Sequence, residues 1–144
     1  MNKPIKEKWT HEDFETMGWH DSSLYAINFP SDPLFLTLDI DYIFRWEKRS
    51  PNQFQFWVAP CLLTFSEVLY LKLTFDFGNV VGAEIDTITR EPLGYAPNGI
   101  TKLWKYTIQT SSGLLNFEST GFVQTLQQPP VLSNTQSLGR SKTL

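Results

Sequence analysis

From Gly18 to Gln127 apolar residues recur at alternate positions through one short segment after another, and a single brief stretch before Gly18 departs from that period. Successive side chains of an extended chain point to opposite faces, so a pattern of this kind commits the chain to half-buried strands. In "LYLKLTFDF" (69–77) Leu69, Leu71, Leu73, Phe75 and Phe77 alternate with Tyr70, Lys72, Thr74 and Asp76. In 34–44 the even positions Leu34, Leu36, Leu38, Ile40, Tyr42 and Phe44 form one apolar face. Thr37, Asp39, Asp41 and then Arg45 form the other, with Phe35 and Ile43 among them.

The remaining strands are read over 23–29, 54–65, 83–91, 100–110, 114–119 and 122–127. Turn chemistry separates them at "PSDP", "SPNQ", "GNVVG", "PLGYAPNG" and "SSG". The 83–91 strand is polar on both faces, which suits an edge. In 54–65, Phe54, Phe56 and Val58 share the inward face and Trp57 points out, beside Tyr70 and Phe35 as a candidate aromatic patch. Pro60 has no N–H to donate and predicts a bulge or an edge position, with Cys61, Leu63 and Phe65 resuming in shifted phase. Trp46 and Trp104 are expected in the core.

"WTHEDFETMGW" (9–19) holds the one helix signal: Thr10 as N-cap, Glu12 and Asp13 in the first turn, and Gly18 as the stop. Phe14 and Met17 would face the core, with Trp9 stapling the start. Such a helix plugs an end and cannot cover a sheet. The chain therefore predicts an all-β fold of about eight strands, an antiparallel sandwich or a strongly curled barrel-like sheet. Residues 1–128 make one domain, and the Pro/Ser/Thr/Gln-rich 129–144 is a tail, flexible or laid over the domain through Val131 and Leu132.

Forty-one per cent hydrophobic residues suffice for a core, which excludes wholesale disorder. A net charge of −3, with its densest basic run (Arg45 to Arg49) broken by Glu47, gives no footprint for nucleic acid. No apolar stretch follows the N-terminal charges as a secretory leader needs, and none approaches a membrane span. One cysteine, Cys61, forms no intrachain disulfide and reads as a buried hydrophobe. The expectation is a soluble cytoplasmic protein that needs no cofactor.

Asp39 and Asp41 share a strand face roughly 7 Å apart, a spacing compatible with a shared hard cation or with a solvated face paired to Lys72, Lys105 or Arg90. His20-Asp21 has the form of the dyad of metal phosphohydrolases, although a structural role is simpler: Asp21 or Ser22 caps a turn while His20 bonds to backbone. His20, Asp21, Asp39 and Asp41 are thus the constellation a metal-dependent hydrolase would use. No G-x-S-x-G elbow, phosphate-cradling glycine loop or zinc signature occurs.

The run "WHDSSLYAINF … LDIDYIFRW … FWVAPCLLTFSEV … EIDTITR", within residues 19–128, resembles a family of small uncharacterised bacterial proteins. They share a Trp-His-Asp-Ser start, a Leu-Asp-Ile-Asp-Tyr strand and an Ala-Pro-x-x-Leu-x-Phe strand. The resemblance implies no activity or active site; by analogy, small bacterial proteins of this type include immunity and accessory proteins. The leading expectation is a non-catalytic interaction module. Its outer sheet face, carrying Asp39, Asp41, Tyr70, Lys72 and Asp76 with the 92–99 loop, would engage a protein partner. In an immunity-like version that acidic surface covers a basic nucleic-acid-cleaving site.

Overall fold

Strands account for most of the chain in the computed structural model, which describes residues 6–140. Residues 1–5, in the N-terminal stretch expected to carry no leader, and 141–144, in the expected tail, lie outside the described residues. The strands are β1 (Lys8–Thr10), β2 (Ser22–Asn28), β3 (Leu36–Ser50), β4 (Gln53–Ser66), β5 (Leu69–Phe75), β6 (Ala83–Tyr95), β7 (Lys102–Thr110), β8 (Gly113–Ser119), β9 (Gly121–Leu126) and β10 (Val131–Ser133). They form one antiparallel 10-stranded sheet in the order β1-β9-β4-β3-β2-β6-β7-β8-β5, with β10 beside β4. The end strands β1 and β5 are not bonded to each other, so the sheet curls without closing. The two strands beyond the expected eight are β1 and β10, each of 3 residues and too short to show an alternation.

The curl follows from where the apolar face must go. Leu36, Leu38, Ile40 and Tyr42 of β3 and Cys61, Leu63 and Phe65 of β4 join Ile85, Tyr106, Ile108, Leu115, Phe117 and Phe122 in one buried cluster. Phe65 stacks edge-on against Tyr106 of β7 at 4.9 Å and Phe117 of β8 at 4.8 Å between ring centroids. Those strands lie far from β4 in the sheet order, so they meet only because the sheet bends over on itself. Each such side chain taken from water contributes about 1.5–3 kcal/mol, before chain entropy is set against it.

The helical stretch is a single 3-10 segment, His11–Thr16, shorter than the helix the sequence suggests. Its start has the expected chemistry: Thr10 is the N-cap, and Asp13 Oδ2 accepts from the Thr10 N–H at 2.9 Å. Six residues gain too few i→i−4 bonds to hold an α-helix, and Met17 leaves it in an extended conformation. Phe14 and Met17 pack on the core, while Trp9 lies in β1 against Phe44 at 5.3 Å.

Several local expectations change. Pro60 causes neither a bulge nor a phase shift: register runs unbroken from Tyr42↔Ala59 through Asp41↔Pro60 to Ile40↔Cys61. It is tolerated inside a central strand because the flanking neighbour changes there. β10 pairs with Phe56–Val58 and β9 with Cys61–Ser66, and the excursion Gln127–Pro130 spans the gap. With no shift at Pro60, the core phase is Ala59, Cys61, Leu63, Phe65. Phe54, Phe56 and Val58 therefore lie on the opposite, outer face, the face of Asp41 and Ile43. β6 pairs with β2 only over Ala83–Ile85, so it is interior at its start and an edge from Asp86 onward; it runs to Tyr95, into the stretch expected as a loop.

Candidate functional site

A β-bulge sets up the polar centre of the molecule. Between Leu24↔Ile40 and Ala26↔Asp39, β2 advances two residues while β3 advances one, leaving Tyr25 as the extra residue. Bulges re-aim side chains. Here the Tyr25 hydroxyl reaches Asp41 Oδ2 at 2.6 Å, on the outer face of β3.

Asp41 is not a solvent-facing residue: it is 0% exposed, whereas Asp39 beside it is about one-third exposed. The cover is the C-terminal tail. After β10 the chain crosses the outer side of β2 and β3 as a strap. Gln136 Nε2 donates to Asp21 Oδ2 at 3.0 Å, the Leu138 N–H donates to Asp41 Oδ2 at 2.7 Å, and Ser137 Oγ lies 2.6 Å from the Tyr25 hydroxyl. Tyr25 donates its one proton to Asp41 and accepts from Ser137 and from the Gly139 N–H at 3.0 Å, which fills its capacity.

The strap delivers Arg140 to the acidic pair. Nε and Nη2 bond both oxygens of Asp39 at 3.4 and 2.8 Å, and Nη2 also reaches the Ile40 carbonyl at 3.0 Å. Nη1 bonds Asp41 Oδ1 at 2.8 Å and the Gly139 carbonyl at 2.9 Å. All five guanidinium N–H donors are thereby used. The plane of the group rests 3.9 Å from the centre of the Tyr25 ring. Burial pulls the Arg140 pKa downward, but the bonds and charges of Asp39 and Asp41 outweigh it and hold the group above its ordinary value. Burial next to Asp41 raises the Tyr25 hydroxyl.

The partners that the sequence suggested for the acidic pair are elsewhere. Arg90 is sandwiched between Phe14 at 4.2 Å and Trp104 at 3.9 Å and donates to the His11 carbonyl. Lys72 and Lys105 line a hollow of about 280 Å³ with Tyr70 and Glu118, on β5, β7 and β8. Tyr70 is 75% exposed there, and Asp76 caps its own turn by accepting from the Gly78 N–H at 2.9 Å. Asp39 and Asp41 thus sit on β3, in the interior of the sheet order, while Tyr70 and Lys72 lie on β5 at one end of it and Asp76 follows β5.

His20 and Asp21 lie at the turn into β2. His20 is largely exposed, with Nδ1 3.2 Å from the Asp86 carbonyl and Nε2 3.5 Å from Asp21 Oδ1. Gln136 links Asp21 to the strap, and Arg140 occupies Asp39 and Asp41. Among the described residues no three His, Cys, Asp or Glu side chains come together as a metal ligand set, so His20, Asp21, Asp39 and Asp41 do not converge as the hydrolase reading requires. Cys61, on the core side of β4, is pushed up to about 12 by burial, with Asp41 adding to the effect. A thiol so held is protonated and inert.

Further along the outer face, β3 and β4 run on beside β10, which pairs with β4 over Phe56–Val58, and then to their own turn. Trp46, expected in the core, is 62% exposed and stacks edge-on with Phe54 at 5.4 Å. The bulge at Phe44, between Ile43↔Val58 and Arg45↔Trp57, puts Trp46 opposite Phe56 on the outer side. Trp57, expected outside, is half-buried on the other side, with Nε1 donating to Glu47 at 3.1 Å. A hollow of about 670 Å³ opens at that turn, lined by Arg49, Gln53, Phe54, Gln55 and Asn134 among others.

Fold and site together define a class: an open, curled all-β sheet whose Tyr25–Asp39–Asp41 cluster is closed by an intramolecular arginine strap. Among the described residues no helix is long and apolar enough to cross a membrane. No family model, curated protein or solved structure matches the chain, so its functional reading rests on its own residues.

Proposed function

We propose that the protein is a non-catalytic interaction module that engages a protein partner through the outer face of β3 and β4. The observation that carries this reading is the exposed Trp46–Phe54 pair towards the turn between β3 and β4. Two adjacent exposed aromatic rings make an apolar patch of the kind that marks interaction sites. Tryptophan is also the side chain most enriched at the energetic centre of interfaces. The polar cluster supports the same reading: its carboxylates are spent on Arg140, and Cys61 is locked in the core.

The immunity-like version rested on an acidic surface. Arg140 compensates Asp39 and Asp41, and the neighbouring end of β3 carries Arg45, Lys48 and Arg49 around Glu47. The surface offered is aromatic with mixed charge, which suits a folded protein with an apolar socket rather than a basic nuclease site.

The test compares the wild type with Trp46→Ala/Phe54→Ala, after circular dichroism has shown that both are folded. A protein captured by the wild type alone is purified and titrated by calorimetry. Saturable binding to the wild type, weakened at least about tenfold by the double substitution, supports the reading. Equal binding by both, or no saturable binding, rejects it.

A further inference from the structure

The strap shows what its seat recognises. Asp39 and Asp41 supply three carboxylate oxygens to Arg140, the Ile40 carbonyl supplies a fourth acceptor, and Tyr25 supplies an aromatic face. The Tyr25 hydroxyl and Asp41 Oδ2 also accept the Gly139 and Leu138 N–H groups, so a stretch of backbone is read along with the side chain. Gly139 has φ +73°, a conformation that favours glycine directly before the arginine. A planar fork with five donors fits this seat, whereas a lysine ammonium reaches fewer of its acceptors.

The seat is strong, but the strap is lightly attached. Its ladder pairing with the sheet is the 3-residue β10; beyond that, polar bonds to Asp21, Tyr25, Asp39 and Asp41 hold it, and its Ser, Thr, Asn and Gly residues bury little apolar surface. Such segments open at low free-energy cost. Opening uncovers Asp41 and takes the counter-charge from both carboxylates, leaving a seat shaped for a guanidinium. An opened strap therefore leaves a seat that a second arginine can fill.

We infer that the Tyr25–Asp39–Asp41 cradle is a binding site for a Gly-Arg segment of a protein partner, with Arg140 as its resident competitor. The site reads charge and shape together, since two carboxylates face a single guanidinium. It lies on the same outer face as Trp46, but its occupation does not require the Trp46–Phe54 pair, so the two readings fail separately.

The test uses the full-length chain and a synthetic peptide with the sequence of residues 131–140 as probe, followed by fluorescence anisotropy. Arg140→Ala, which vacates the seat, is expected to bind the peptide saturably. Arg140→Ala/Asp41→Asn should lose that binding, and a peptide with lysine in place of arginine should bind at least about tenfold more weakly. The wild type should also bind at least about tenfold more weakly than Arg140→Ala, because its own strap competes at high effective concentration. Lack of saturable binding by Arg140→Ala, indifference to Asp41→Asn or to lysine, or equal binding by the wild type each overturns the inference. Should Arg140→Ala not fold, methylguanidinium replaces the peptide. It should restore a cooperative thermal transition to Arg140→Ala and not to Arg140→Ala/Asp41→Asn, while methylammonium should not. Failure of methylguanidinium to do so overturns the inference equally.

Discussion

Asp41 and Arg140 are 99 residues apart in the chain, and their side chains meet at 2.8 Å. One is fully buried, and the other keeps 29% of its side chain in contact with solvent. The pair therefore has the asymmetry of a buried charge neutralised from the surface. Removing one partner of a buried pair costs about 3–5 kcal/mol, and solvent access at Arg140 reduces this to about 1–3 kcal/mol here. Arg140→Ala should lose that amount in urea denaturation, and Arg140→Lys should recover less than half of it. Recovery to wild-type stability by lysine would show that charge alone, without the fork, holds the strap.

Alkaline pH should weaken the fold. Burial raises the Cys61 thiol from 9.0 to about 12 and raises the Tyr42 and Tyr106 hydroxyls above their ordinary 10.0. Above pH 9 the unfolded chain releases these protons first and binds fewer than the folded chain, so stability falls as pH rises. Thermal midpoints should decline from pH 9 to 11. Cys61 should react with an aromatic disulfide reagent at pH 8 only at the rate of unfolding. A fast stoichiometric reaction in the folded state would contradict its burial.

Trp19 donates its indole N–H to Gln124 Oε1 at 2.8 Å, while Gln124 Nε2 has no partner among the described residues. Trp19→Phe should cost about 1–3 kcal/mol, since it leaves the buried amide with no bond. Gln124→Leu added to it should recover part of that loss, because removing both partners leaves nothing unsatisfied. Additive losses in a double-mutant cycle would refute the pairing.

Gly113 opens β8 where β5 passes closely: a Cβ there would run into the Thr74 carbonyl oxygen and the Phe75 ring. Gly113→Ala should destabilise by about 1–3 kcal/mol through forced backbone movement. The same change at Gly18, where nothing lies within 4 Å, should be close to neutral in the same denaturation assay.

The parts of the molecule legible in the sequence are those whose cause is local. Alternation in β3 and β7 needs no knowledge of partners, because a half-buried strand writes its period into itself. The capping residues Thr10 and Asp13 were equally readable, since that bond spans three positions. Asp41 was not. Its i, i+2 relation to Asp39 looks like a solvated face, and its cover is a Ser/Gly-rich segment with no periodic signal. Arg140 carries no local sign of its role, and its partners lie about a hundred positions away. The phase of Trp46 and Trp57 was lost for a related reason: the bulge at Phe44 leaves no mark in composition, and Pro60 mimics a break that the β9–β10 gap absorbs.

The strap also has a place in time. A ribosome adding 5–20 residues each second needs about 5–20 s to pass from Asp41 to Arg140. Throughout that interval β3 exists without its counter-charge, and the emerging sheet holds a carboxylate it cannot yet bury. The stretch that seals the first long hairpin is thus translated well after the hairpin itself. A chain that stalls or is clipped before the strap keeps that seam open, and cellular proteases act on open seams. The lag between β3 and its counter-charge is in this way a window of exposure for the growing chain.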